Sequence, residues 1–156
     1  MSDKATKVIH TASAEATEQL GEAIGRALRG GETIELVSDL GGGKTTFVRG
    51  LARGFGSSDR VSSPTFTISH EYKAGDRTLY HFDFYRLHEA GIVADELDEA
   101  AHDSQASVVV EWGDIVSDVL PADRLTISIK ATAENGRQLT IHYPLQLAYL
   151  IPDDLV

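Results

Sequence analysis

Two spacings of apolar residues divide this chain into helices and strands. Between Ser13 and Leu28, the residues Ala16, Leu20, Ala23, Ile24, Ala27 and Leu28 recur at helical spacing and share one face. Ser13 is placed to cap that helix and Gly30-Gly31 to stop it. A short strand at Lys7 to His10 precedes it. The run "TIELV", Thr33 to Val37, is short, β-branched and flanked by glycine-rich stretches, which predicts a buried strand, and Thr45 to Arg53 reads as the next helix.

Downstream, alternation with a period of two takes over. "TFTISHEY" and "RTLYHFDFY" flank the turn residues Ala74-Gly75-Asp76 and predict a hairpin. "EAGIVADELDEAAHD" predicts a short acidic helix, and "SVVVEW" an apolar strand of the kind covered on both faces in a parallel sheet, here ending on a carboxylate. "RLTISIK" and "QLTIHY" alternate across Glu134-Asn135-Gly136-Arg137, where Asn-Gly signals a C-terminal β-hairpin, and "IPDDLV" reads as a tail. Interleaved helices and strands with no internal repeat predict a three-layer α/β domain with a mixed sheet.

Composition narrows the setting. At 156 residues, 42% of them hydrophobic, the chain is large enough for one core, so residues 1–156 are expected to form a single domain. The absence of cysteine excludes disulfides, thiolate metal sites and thiol nucleophiles, and suits a reducing compartment. The apolar stretch "LQLAYLI" is interrupted by Gln146 and too short to span a bilayer, so a soluble, cytoplasmic protein without membrane contact is expected. A formal charge of -10 repels a phosphate backbone, so contact with RNA is expected to be indirect or confined to a local basic patch. The six histidines show no tight pair; zinc is not expected, and His81 reads as packing beside its strand.

The chemistry starts at "SDLGGGKTTF", Ser38 to Phe47. A phosphate loop has the pattern G-x-x-x-x-G-K-[ST]: glycines let backbone N–H groups approach phosphates, lysine neutralises charge, and the hydroxyl reaches magnesium. Gly43, Lys44 and Thr45 match, and Ser38 stands where the first glycine belongs. The strand before the loop and the helix after it supply the setting that aims helix N-terminal amides at an anion. The fold expectation therefore sharpens to a domain of the phosphate-loop NTPase type. Guanine specificity has no candidate, because the only asparagine is Asn135, followed by Gly136. A small-molecule kinase would need a lid with several arginines, and beyond Glu111 only Arg124 and Arg137 are available, which leaves that reading second. Two acids close predicted strands, Asp83 in "YHFDFY" and Glu111 in "VVVEW", where ligands of an open α/β sheet gather.

Together "SDLGGGKTTFVRG", "SSPTFT", "YHFDFYR" and "VVVEWGD" resemble the TsaE (YjeE) family of bacterial ATPases, which serve in making N6-threonylcarbamoyladenosine in transfer RNA. The resemblance implies an ATP-hydrolysing accessory protein that works with the TsaD and TsaB transferase complex, with Mg2+ as cofactor. It places Leu40, Gly41, Gly42, Gly43, Lys44, Thr45, Thr46 and Arg137 at the nucleotide, and matches the segment Thr11 to Ala14 to the same pocket. It makes Thr45 and Glu111 the metal ligands, and Asp83, Lys44 and Thr46 the catalytic residues. Ser63, Pro64, Thr65, Arg86 and Trp112 become switch or gating positions. Hydrolysis is expected to be slow in isolation, with Arg86 and Arg49 as the candidates for an arginine finger. Two departures stand out: Ser38 where that family has glycine, and Gly42 where it has alanine. A nucleotide-sensing module without turnover is a third reading.

Overall fold

A computed structural model describes residues 4–38, 43–61, 69–85 and 91–152. Seven strands form one sheet: β1 (Lys4–Thr11), β2 (Thr33–Val37), β3 (Ser69–Ala74), β4 (Arg77–Asp83), β5 (Ala106–Glu111), β6 (Leu125–Ala131) and β7 (Arg137–Pro144). Three α-helices connect them: α1 (Ala14–Ala27), α2 (Lys44–Phe55) and α3 (Gly91–Ala101). The spatial order is β1-β7-β6-β2-β5-β4-β3. The sheet is mixed, as expected. Strands β6, β2, β5 and β4 pair in parallel, whereas β7 with β6, β1 with β7, and β3 with β4 pair antiparallel.

The central strands β2 and β5 are buried almost throughout, and side chains fill both faces of the sheet. On one face Ile34, Leu36, Leu79, Val109 and Ile127 pack with Leu20 and Ile24 of α1 and Phe47, Leu51 and Phe55 of α2. On the other, Phe82, Phe84, Val108 and Val110 pack with Leu97 and Ala100 of α3. The three layers follow from β5, every residue of which is buried. No helix among the described residues is long and apolar enough to cross a membrane.

Several boundaries differ from the sequence expectation. Strand β1 is longer at both ends than Lys7 to His10, because all eight of its residues pair with β7. Helix α1 keeps the Ser13 cap, whose Oγ accepts from the Ala16 amide at 3.1 Å. Its buried face is Thr17, Leu20, Gly21, Ile24 and Gly25, rotated away from Ala16 and Ala23. The rotation lets backbones meet: a Cβ on Gly21 would lie 2.3 Å from the Phe47 carbonyl oxygen, and one on Gly50 of α2 would lie 1.9 Å from that of Glu18. Ile151 and Pro152, expected to open a C-terminal tail, belong instead to the packed fold, and the rest of that segment lies outside the described residues. After β7 a 3-10 helix at Leu145–Leu150 buries Leu147 and Leu150, Ile151 is buried behind it, and the Pro152 carbonyl accepts from Lys7 Nζ at 3.0 Å.

Candidate functional site

Parallel pairing brings the carboxyl ends of β2, β4, β5 and β6 to one edge, where ligands of open α/β sheets bind. Strand β1 ends at the same edge, since Thr11 pairs with Arg137 and Arg137 with Ala131 at the end of β6. The chain leaves β2 at this edge and re-enters regular structure at Gly43, the N-cap of α2, with φ of 100°. That left-handed conformation suits glycine, and an added Cβ would also meet Arg137 Nε at 3.3 Å. The first-turn amides of α2 have no intrahelical acceptors and carry the positive end of the helix dipole, which is an anion site.

Lys44, the first residue of α2, is buried. Its ammonium donates to the Ser38 carbonyl at 3.1 Å, lies 3.7 Å from Glu111 Oε1, and sits 4.6 Å from the centre of the Trp112 ring. Ser38 therefore serves through its backbone. Trp112 is the only non-glycine residue with positive φ among the described residues, so Ser38 lies outside the left-handed region and carries none of the strain that glycine would relieve there. Thr45 and Thr46 follow Lys44 in the first turn of α2, both half-buried.

Asp83 and Glu111 end neighbouring strands in register. The Asp83 Oδ1 accepts from the Tyr85 amide at 3.0 Å. Burial raises its carboxyl above the ordinary value; the Tyr85 hydrogen bond opposes the rise and the Glu111 charge adds to it. Glu111 is buried, with Oε1 toward Lys44 and Oε2 bonded to Nε2 of His81. The chain turns just past Glu111 at Trp112, whose φ of 57° is left-handed, and this swings the indole over Lys44 and against Tyr85, with ring centres 5.0 Å apart.

On the other side of Gly43, a cleft is lined by Ala14, Thr17, Gly43, Thr46, Asn135 and Arg137. It joins the start of α1 and the last hairpin. Arg137 also donates from Nη1 to the Gly136 carbonyl at 2.7 Å.

The described residues thus bring Gly43, Lys44, Glu111, Asp83 and Trp112 together, with Thr45, Thr46 and Arg137 on the flank. Leu40, Gly41, Gly42, Ser63, Pro64, Thr65 and Arg86 lie outside the described residues. Arg49 lies on the surface of α2, its Nη1 3.4 Å from Glu18, and Arg124 holds Glu35 at 3.0 Å, so neither stands at this edge as a spare cation. His81 packs beside its strand, fully buried, and is also bonded to Glu111. Its signal was in "YHFDFY", where alternation puts residues 81 and 83 on one face and the aromatics 80, 82 and 84 on the other. Thr17 and Asn135 were missed, since neither belongs to a motif.

Among the described residues no group of three or more His, Asp or Glu side chains forms a metal cage. The edge offers instead hard carboxylate oxygens and a threonine hydroxyl beside a helix N-terminus. That donor set fits Mg2+, which binds through one or two carboxylates together with phosphates and water.

Residues 11–139 match the model of a family described as threonylcarbamoyl adenosine biosynthesis protein TsaE. The tRNA threonylcarbamoyladenosine biosynthesis protein TsaE of Bacillus subtilis is 38% identical over 130 residues, covering 83% of this chain and 81% of that protein. Its counterpart of the same name in Treponema pallidum is 39% identical over 132 residues, 83% of this chain and 95% of that one. The crystal structure of Bacillus subtilis YdiB matches with a TM-score of 0.77 and 32% identity, across 96% of this chain and 93% of that one.

Proposed function

The chain belongs to the TsaE family of tRNA threonylcarbamoyladenosine biosynthesis proteins, and from that premise we propose that it binds and hydrolyses Mg-ATP as an accessory of the TsaD and TsaB transferase complex. One observation carries the reading. A buried ammonium, Lys44, is held 3.7 Å from Glu111 at the carboxyl edge of the sheet's parallel strands, on the first residue of a helix that opens with a left-handed glycine.

Each residue then has a task. The amides of Gly43 to Thr46, with Leu40, Gly41 and Gly42 by family pattern, surround the phosphates, and Lys44 neutralises charge on the transferred phosphoryl group. Thr45 and Glu111 would hold Mg2+, which would supply positive charge to the phosphate oxygens. Asp83 orients the attacking water and accepts its proton, a task its raised carboxyl value suits. Thr46 supports the same centre, Arg137 with the cleft beside it receives the nucleoside side, and Trp112 covers Lys44. Ser63, Pro64, Thr65 and Arg86 are assigned as gating positions by family pattern alone.

A cytoplasmic setting and partner-dependent turnover belong to this reading. Arg49 is engaged by Glu18, which supports slow hydrolysis by the isolated chain and completion of the site by a partner. The test is reconstitution with TsaD, TsaB, threonine, bicarbonate and transfer RNA, reading phosphate release and modified adenosine. Lys44→Ala is expected to lose both signals; undiminished turnover by that variant overturns the phosphate-loop assignment.

A further inference from the structure

The carboxylate of Glu111 is divided between two neighbours. Oε1 looks toward Lys44 Nζ at 3.7 Å, while Oε2 is engaged by Nε2 of His81. The imidazole is entirely buried, so water cannot take over that bond. A carboxylate only accepts, so Nε2 must carry the hydrogen. On the far side of the ring, Nδ1 lies 3.5 Å from the hydroxyl of Tyr72, which is itself 1% exposed. The same hydroxyl also lies 3.5 Å from His70 Nδ1; given to His81, its hydrogen leaves the ring proton on Nε2, the tautomer that holds Glu111.

Backbone register produces this chain of contacts. Residues 81 and 83 of β4 share a face, His81 pairs with Val109 two residues before Glu111, and β3 brings Tyr72 opposite Leu79. Three strands thus converge on one carboxylate, running inward from the hairpin at the sheet edge.

From this geometry we propose that His81 is a positioning residue for Glu111, with Tyr72 setting its tautomer. One carboxylate oxygen is committed to His81, which would leave Oε1 as the oxygen of Glu111 available to a metal. The consequence is selective: His81 governs the metal-dependent part of nucleotide affinity and leaves the metal-free part in place. This rests on the Mg-ATP reading above.

The experiment uses the full chain and a non-hydrolysable ATP analogue, titrated with Mg2+ and again with a chelator, following fluorescence of the single tryptophan, Trp112, which lies beside Lys44. His81→Leu is expected to lose about 10- to 100-fold in affinity with Mg2+ and to change less than about threefold without it. His81→Gln, which returns an N–H near the position of Nε2, is expected to recover most of the loss. Tyr72→Phe, lacking only the hydroxyl, is expected to lose about fivefold with Mg2+ alone. Equal losses with and without metal, unchanged metal-dependent affinity in His81→Leu, or failure of His81→Gln to recover it each overturn the proposal. Where His81→Leu does not fold, His81→Gln and Tyr72→Phe decide: wild-type behaviour in Tyr72→Phe, or an equal loss in both conditions in either variant, overturns it. A wild-type chain that binds the analogue in neither condition overturns the ATP reading and this inference with it. Wild-type binding with an indifferent His81→Leu overturns this inference alone.

Discussion

Ser38 departs from the phosphate-loop pattern yet keeps the contact that matters there, because the group bonded to Lys44 is its main-chain carbonyl. Its φ is outside the left-handed region, so glycine would relieve no strain. Ser38→Gly is therefore expected to shift nucleotide affinity by less than about threefold, read by Trp112 fluorescence, against the roughly 1 to 2 kcal/mol that a left-handed serine would forfeit. A gain above about tenfold would show that the side chain obstructs the loop. Trp112 is the opposite case, since it accepts a left-handed backbone and the cost that goes with it. What it obtains is a position over Lys44. Asp83 separates binding from chemistry. Asp83→Asn keeps the shape and the Tyr85 hydrogen bond but removes the proton acceptor, so nucleotide affinity is expected to hold while single-turnover hydrolysis falls about 10²- to 10⁴-fold. Loss of binding in that variant would make Asp83 a ligand contact instead.

At the scale of elements, strands and turns were more legible than helix faces. Alternation placed β3, β4, β6 and β7, and Asn-Gly marked the last hairpin, because burial on a sheet follows side-chain parity directly. The face of α1 was rotated from the expectation, since counting apolar side chains gives no weight to glycine. Its close approach to α2 runs through Gly21 and Gly25, which face the Phe47 and Leu51 carbonyls, and through Gly50 and Gly54, which face those of Glu18 and Glu22; any Cβ there would lie 2.3 Å or less from the facing oxygen. A backbone atom cannot step aside as a side chain can. Gly50→Ala is expected to lower stability by about 3 kcal/mol or more, and the melting midpoint by roughly 6 to 12 °C. A midpoint within about 2 °C of wild type would mean that the helices separate freely. Because α2 carries Lys44, a tilt of this pair would also move the site, and nucleotide affinity is the second reading to take.

At the scale of the whole molecule, Glu32 joins segments far apart in sequence. It accepts from the amides of Arg29 and Gly30 at 2.7 and 2.8 Å, from Ser107 Oγ at 2.8 Å, and from the Tyr149 hydroxyl at 2.6 Å. Burial pushes its carboxyl upward, and these hydrogen bonds outweigh that, leaving it below the ordinary value. An acid with a depressed folded-state value stabilises the fold above its unfolded value and loses that contribution as pH falls through the folded one. The melting midpoint of Glu32→Gln is thus expected to trail wild type most near neutral pH and to converge with it as pH falls through the lowered folded-state value. A constant gap would assign the cost to packing. The chain by itself determined the interleaved α/β order, the position of Lys44 at the start of a helix, and the two strand-end acids, because each is written in local periodicity or contiguous motif. Only the tertiary structure decided that His81 grips Glu111, that Ser38 serves by its carbonyl, and that Thr17, Asn135 and Arg137 share a cleft. The Ser38 contact spans six residues and depends on the path of the loop; the others join residues 30 to more than a hundred positions apart, and which of those meet is set by strand order and register, which local sequence does not encode.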